Sequence, residues 1–145
     1  MDRQAVNIQD KLMEALLEID TATKRLIEAQ TAYSAFCANE LALAKEECAL
    51  IENAALMQAY MEKDEKGAAL IDGKDAKLRE KQADVIVNKY PDVMVAKAEL
   101  RNAERKAAQF QAEKEAAGLE YKATTYRLHG LRTVGDLQVS LMKGE

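Results

Sequence analysis

Apolar residues recur in steps of three and four along most of the chain. From residue 3 to residue 65 they run Leu12, Leu16, Ile19, Leu26, Tyr33, Cys37, Leu41, Ala44, Cys48, Ile51 and Ala55, the spacing of one face of a helix. No Pro or Gly interrupts this stretch, so it predicts one long helix over 3–65, about 90 Å if fully extended. The two consecutive steps of four, Tyr33 to Cys37 to Leu41, form a stutter, where a supercoil locally unwinds. A second stripe, Met13, Leu17, Ile27 and Leu43, widens the apolar face and predicts contact with more than one neighbour.

Residues 66–92 break the pattern. Gly67 and the pair Asp72-Gly73 signal turns, with Leu70 and Ile71 between them expected to tuck against the helix end. Asp75 is placed to cap a short helix over roughly 75–89, with Leu78, Gln82, Val85 and Ile86 on its inner side. Tyr90-Pro91-Asp92 then restarts the chain, because Pro at a first helical position followed by an acid is a start signal.

A second long helix is predicted over 93–129. Positions 93, 96, 100, 103, 107, 110, 114, 117, 121, 124, 128 and 131 alternate steps of three and four, a coiled-coil seam sustained over about five heptads. Most of its members are small. Lys114 interrupts it and must snorkel or find an acid. Gly118, unfavourable inside a helix, implies a close crossing or a bend. Gly130 reads as a left-handed C-cap after His129, and Thr133-Val-Gly-Asp136 as a capping box that starts a short final segment over 130–145. The alternation Leu137, Val139, Leu141 equally suits an edge strand. The fold class expected is all-α: one domain, 1–145, an elongated antiparallel helical hairpin assembling with other copies into a coiled-coil bundle.

Composition agrees. Hydrophobic residues make up 48% of the chain but aromatic ones only 5%, with no Trp and one Pro. A core of Ala and Leu is thin, so the missing burial is expected from a homo-oligomer. Net charge is −4, which argues against duplex nucleic acid as a partner. The charge is uneven: residues 1–65 carry 13 acids and 6 bases, residues 66–145 carry 12 acids and 15 bases. An acidic first half folded on a basic second half uses that asymmetry. No apolar run is long enough to span a membrane. The opening MDRQAVNIQDKL lacks the apolar core of a signal peptide, so a cytoplasmic location in a bacterial host is expected. Cys37 and Cys48 are 11 positions apart, about 16 Å along a continuous helix, too far to pair with each other. They read as small hydrophobes.

Signatures of catalysis are missing: no GxSxG, P-loop or HExxH, and a single histidine, His129. Neither an enzyme, a metal site nor a cofactor is expected. Acid groups such as Glu46-Glu47, and Glu62 with Asp64 and Glu65, are spaced as solvated helix faces. The stretch YKATTYRLHGLR, residues 121–132, has three bases and no acid. Its Tyr121, Lys122, Thr125, Tyr126, Arg127, His129 and Arg132 offer hydroxyls, aromatic faces and cations suited to phosphate and planar rings. The same residues also suit a helix C-terminus with seam tyrosines in the core. Lys24 and Arg25, with Gln30, Thr31, Ser34 and Asn39, form a second polar group. If the chain folds back near residue 72, residues 20–40 lie opposite 110–130 and the two groups share one level.

The segment LIDGKDAKLREKQA, residues 70–83, resembles small bacteriophage proteins in which a long helix is followed by a DGKN-type turn, a short helix and a second long helix. Asp75 stands where Asn is more usual. The resemblance implies phage or prophage origin and supplies no catalytic residues. Three functions compete: a homo-oligomer that binds a host or phage protein, an anti-defence sponge sequestering a nucleotide-derived small molecule between helices, and an accessory factor for phage recombination.

Overall fold

The structure, a computed structural model, describes residues 2–143; Met1, Gly144 and Glu145, included in the one-domain reading, lie outside the described residues. Among the described residues the chain is all-helical, with no β-strand. It comprises α1 (Asp2–Phe36), a π-helical turn (Cys37–Leu41), α2 (Ala42–Met61), α3 (Ala76–Val87) and α4 (Pro91–Lys143). No described helix is long and apolar enough to cross a membrane. The chain divides into two compact units, Met1–Ser34 with Gln109–Glu145, and Ala35–Ala108.

The π-helical turn falls on the stutter. A wider, i to i+5 turn absorbs one extra residue, which keeps Cys37, Leu41 and Ala44 half-buried and Cys48 buried on one continuing stripe. The first helix stops at Met61 rather than 65, because Glu62 is already extended (ψ 141°). Asp64 is not part of a solvated helix face. Its carboxylate accepts the Lys66 and Ala68 N–H groups, both at 2.9 Å, the local competition with helix for which Asp is suited. Among the described residues Gly67 supplies the one positive φ, 79°, and one isolated bridge joins Lys63 to Ala69.

In the unit 35–108, α3 begins as expected: Asp75 is its N-cap and accepts the Leu78 N–H at 2.7 Å. Its inner face is different. Ala83 and Val87 are buried, whereas Leu78 and Val85 are exposed. Gln82, half-buried, faces the turn instead, accepting the Asp72 and Gly73 N–H groups at 3.2 and 2.9 Å and donating to Asp72 at 3.0 Å. A side chain at Gly73 would meet Leu78 Cγ at 2.9 Å and the Arg79 backbone N at 3.0 Å, so the tight turn requires glycine. Ala55, Ala59, Ile71, Ala83, Val87 and Val93 form the core of this unit. Ile71 thus tucks in as expected, while Leu70 stays exposed. The buried Cys48 thiol donates to Glu52 Oε1 at 3.4 Å; burial first, then that carboxylate, push its pKa up.

In the other unit, α1 and α4 run antiparallel. Lys114 lies opposite Tyr33, Glu120 opposite Arg25, and Arg127 opposite Glu18. Every position of the α4 seam from Val93 to Leu131 is buried or half-buried. Lys114 finds an aromatic partner, its ammonium 4.8 Å from the centre of the Tyr33 ring, an attraction of about 0.5–1 kcal/mol at such a site. On α1 the fully buried positions are Ala15 and Ala22; Leu12, Ile19 and Leu26 flank them half-buried, and Leu16 is exposed. Alanine at the line of contact lets the backbones approach, and the longer side chains straddle it.

Two expectations for α4 are overturned. Gly130 is not a left-handed cap: no positive φ occurs there, and the helix runs through it to Lys143. Thr133 caps nothing, and its hydroxyl donates to the His129 carbonyl one turn back at 3.0 Å. Neither a new short helix nor an edge strand forms at 133–141. Gly118 marks no close crossing: an added methyl would sit 3.9 Å from Leu26 Cδ1, an ordinary contact.

Candidate functional site

Part of the polar level anticipated between residues 20–40 and 110–130 forms within the 1–34/109–145 unit, where Arg25 and Gln30 line recesses with residues of α4. Arg25 bonds Glu120 at 2.8 Å, and Arg127 pairs with Glu18. These four side chains, with Leu17, Thr21 and Thr124, line an open recess of about 520 Å³. The two helices present the same device in opposite directions, an acid seven residues before an arginine: Glu18 and Arg25 on α1, Glu120 and Arg127 on α4. A slip of one heptad sets Glu18 against Glu120. The pairs are half-exposed, so each adds at most about 1 kcal/mol; their main effect is to select register.

The rest of the predicted cluster disperses. Lys24 pairs with Asp20 one turn earlier at 3.0 Å. The Thr125 hydroxyl turns back to the Tyr121 carbonyl at 2.9 Å, and Thr124 does the same to Glu120 at 2.7 Å. Tyr121 and Lys122 line a second recess with Leu26, Gln30, Lys114 and Gly118. Tyr126, His129 and Arg132 are exposed and line neither recess. Within one protomer the nine residues therefore do not line a single recess. Each of Arg25 and Arg127 keeps further N–H donors beyond the one its carboxylate takes, but the adjacent acid weakens the positive field that a phosphate would meet. Reading 121–132 as a base-rich run missed Glu18 and Glu120, because the partner acids lie on another helix and just before the run. The paired heptad spacing was the signal that identifies them.

Among the described residues, no group of three or more His, Cys, Asp or Glu side chains is placed to hold a metal ion.

The unit 35–108 holds a groove that the sequence did not suggest. Leu70, Val85, Ile86 and Tyr90 form its apolar wall, with Glu62, Lys81, Gln82 and Lys89 around them, enclosing about 610 Å³. The Tyr90 hydroxyl is buried and closes no hydrogen bond of ordinary geometry. Burial, then the nearby Glu62 carboxylate, push its pKa from 10.0 up to about 12. Below pH 10 the phenol is neutral in both the folded and unfolded chain. Above that the unfolded chain ionises first, so stability falls as pH rises from about 10 to about 12. Tyr90→Phe is expected to leave stability near pH 7 unchanged or slightly higher and to flatten this alkaline loss. Urea midpoints of variant and parent at pH 9 and 11.5 measure it; equal losses would contradict the assignment.

No known protein family, curated protein or solved structure matches this chain.

Proposed function

We propose that the protein is a non-enzymatic helical hairpin of the phage type that assembles with further copies of itself into a coiled-coil bundle and acts by binding a host or phage protein. One observation carries the reading: apart from Phe36, α1 and α2 bury small residues and leave many of their large ones exposed. On α2 the buried positions are Cys48, Ala55 and Ala59. On the opposite face Leu43, Leu50 and Met57, one heptad apart, are 55%, 63% and 70% exposed, with Met61 one turn on. An apolar stripe this regular is a surface for another helix. The residues of α1 that widen its apolar face, Met13, Leu17 and Ile27, are exposed as well.

Two measurements test this. Light scattering of the full chain at about 10 µM, within the usual range of specific association, should give a multiple of the 16.1 kDa protomer; a monomer refutes self-assembly. Recovered from phage-infected bacteria, the protein should carry a stoichiometric protein partner. Leu50→Glu/Met57→Glu should lose that partner while keeping its helicity, since both positions are exposed. A chain recovered alone refutes the binding reading. Sequestration of a nucleotide-derived signal has less support, because Arg25 and Arg127 are paired with Glu120 and Glu18, and Arg132 lines neither recess. Cyclic nucleotides and ADP-ribose derivatives are accordingly expected to leave the melting curve unmoved.

A further inference from the structure

We infer that the outer seam of α4 pairs antiparallel with the same seam of a second copy, about a two-fold axis beside Leu128, seating Tyr126 against the partner's Gly130. The inference rests on the self-assembly reading above and names the surface and register that perform it. The seam that packs on α1 through Ala117, Tyr121, Leu128 and Leu131 is not the only one α4 carries. Leu119, Ala123, Tyr126, Gly130, Thr133 and Leu137 alternate steps of four and three on the other side of the helix, and all six are exposed. Tyr126 is 75% exposed.

Two features select a second copy of this chain as the occupant. Read against its own reverse, the seam is complementary in size: Leu119 meets Leu137, Ala123 meets Thr133, and Tyr126 meets Gly130. A two-fold axis makes each layer occur twice. Gly130 also has no reason within its own chain, since an added Cβ would meet nothing within 4 Å and glycine weakens a helix interior. A tyrosine ring from a facing helix gives that missing side chain a use.

Charge decides the register. The residues flanking one edge of the seam, Glu115, Lys122, His129, Asp136 and Lys143, are one heptad apart. In the proposed register Lys122 faces Asp136 and Glu115 faces Lys143, each twice, and His129 lies beside its own copy. Moved by one heptad, Glu115 faces Asp136 and Lys122 faces His129. Like charges along a coiled-coil edge disfavour that alternative. Along the other edge Arg127 approaches its own copy, each already neutralised by Glu18 within its protomer.

Directed cross-linking of the full chain carrying Cys37→Ala and Cys48→Ala tests orientation and register together. Leu119→Cys and Leu137→Cys, prepared separately and mixed under mild oxidation, should give a disulfide-linked pair containing one of each, with little cross-linking of either alone. Leu119→Cys linking to itself would mean a parallel pair and overturn the inference. In the parent chain, Gly130→Leu should fill the space for Tyr126 and weaken association by about tenfold or more, with helicity retained because that position is open in the protomer. An oligomer that neither cross-links in this pattern nor responds to Gly130→Leu overturns this seam alone. A parent chain that is monomeric by light scattering overturns both the seam and self-assembly.

Discussion

Ile71→Ala is expected to destabilise the 35–108 unit by about 2–5 kcal/mol, the usual cost of truncating a buried isoleucine. Ile71 is 7% exposed and lies in the segment between α2 and α3, in one buried cluster with Ala55, Ala59, Ala83, Val87 and Val93. The alanines of that cluster cannot extend into the space left behind, so part of the cavity would persist. The adjacent Leu70 is a control: it is 39% exposed on the wall of the open groove, and Leu70→Ala should cost about 1 kcal/mol or less. Urea titration followed by helix signal measures both. Equal costs for the two variants would mean that Ile71 does not hold the segment to the core.

The double variant Gly118→Ala/Gly135→Ala should gain stability, by about 2 kcal/mol. Each glycine inside a helix costs about 1 kcal/mol relative to alanine, through the backbone freedom lost on folding. Neither position needs its missing side chain. The added methyl would lie 3.9 Å from Leu26 at residue 118 and 3.8 Å from Ile8 at residue 135, distances that add contact without overlap. The experiment also tests continuity of α4. Were the helix to stop at Gly130, alanine at residue 135 would gain nothing. A thermal midpoint that rises for Gly118→Ala and again for the double variant fits the 53-residue helix; no increment from residue 135 counts against it.

Local signals were legible wherever one residue type served one purpose. Asp75 caps α3 through the N–H of Leu78, and Pro91 opens α4, because both depend on the chemistry of the position itself. The stutter was legible too: two consecutive steps of four depart from the heptad rhythm, and a π-helical turn occupies that place. The end of α4 was misread for a physical reason. Gly130 and Thr133 carry weak preferences for a break, whereas Leu128 and Leu131 on either side of Gly130 are packed and residue 135 lies beside Ile8 of α1, so tertiary packing carries the helix through. The candidate site was legible only as composition. The bases of residues 121–132 are where the sequence puts them, yet partners decide what they do, and the partner of Arg127, Glu18, lies on α1.

Heptad spacing in one dimension determined that the chain is helical and which line of α4 from Val93 to Leu131 is packed, and the cap chemistry of Asp75 and Pro91 determined where α3 and α4 begin. Each of these follows from neighbours within a turn or two. Which of two apolar stripes goes inside on α1 and α2 was decided only by tertiary structure. Hydrophobicity alone favours the leucines. Close approach of two backbones favours Ala15, Ala22, Ala55 and Ala59, and leaves Leu43, Leu50 and Met57 in solvent. That choice depends on the surface of the facing helix, which no local pattern contains.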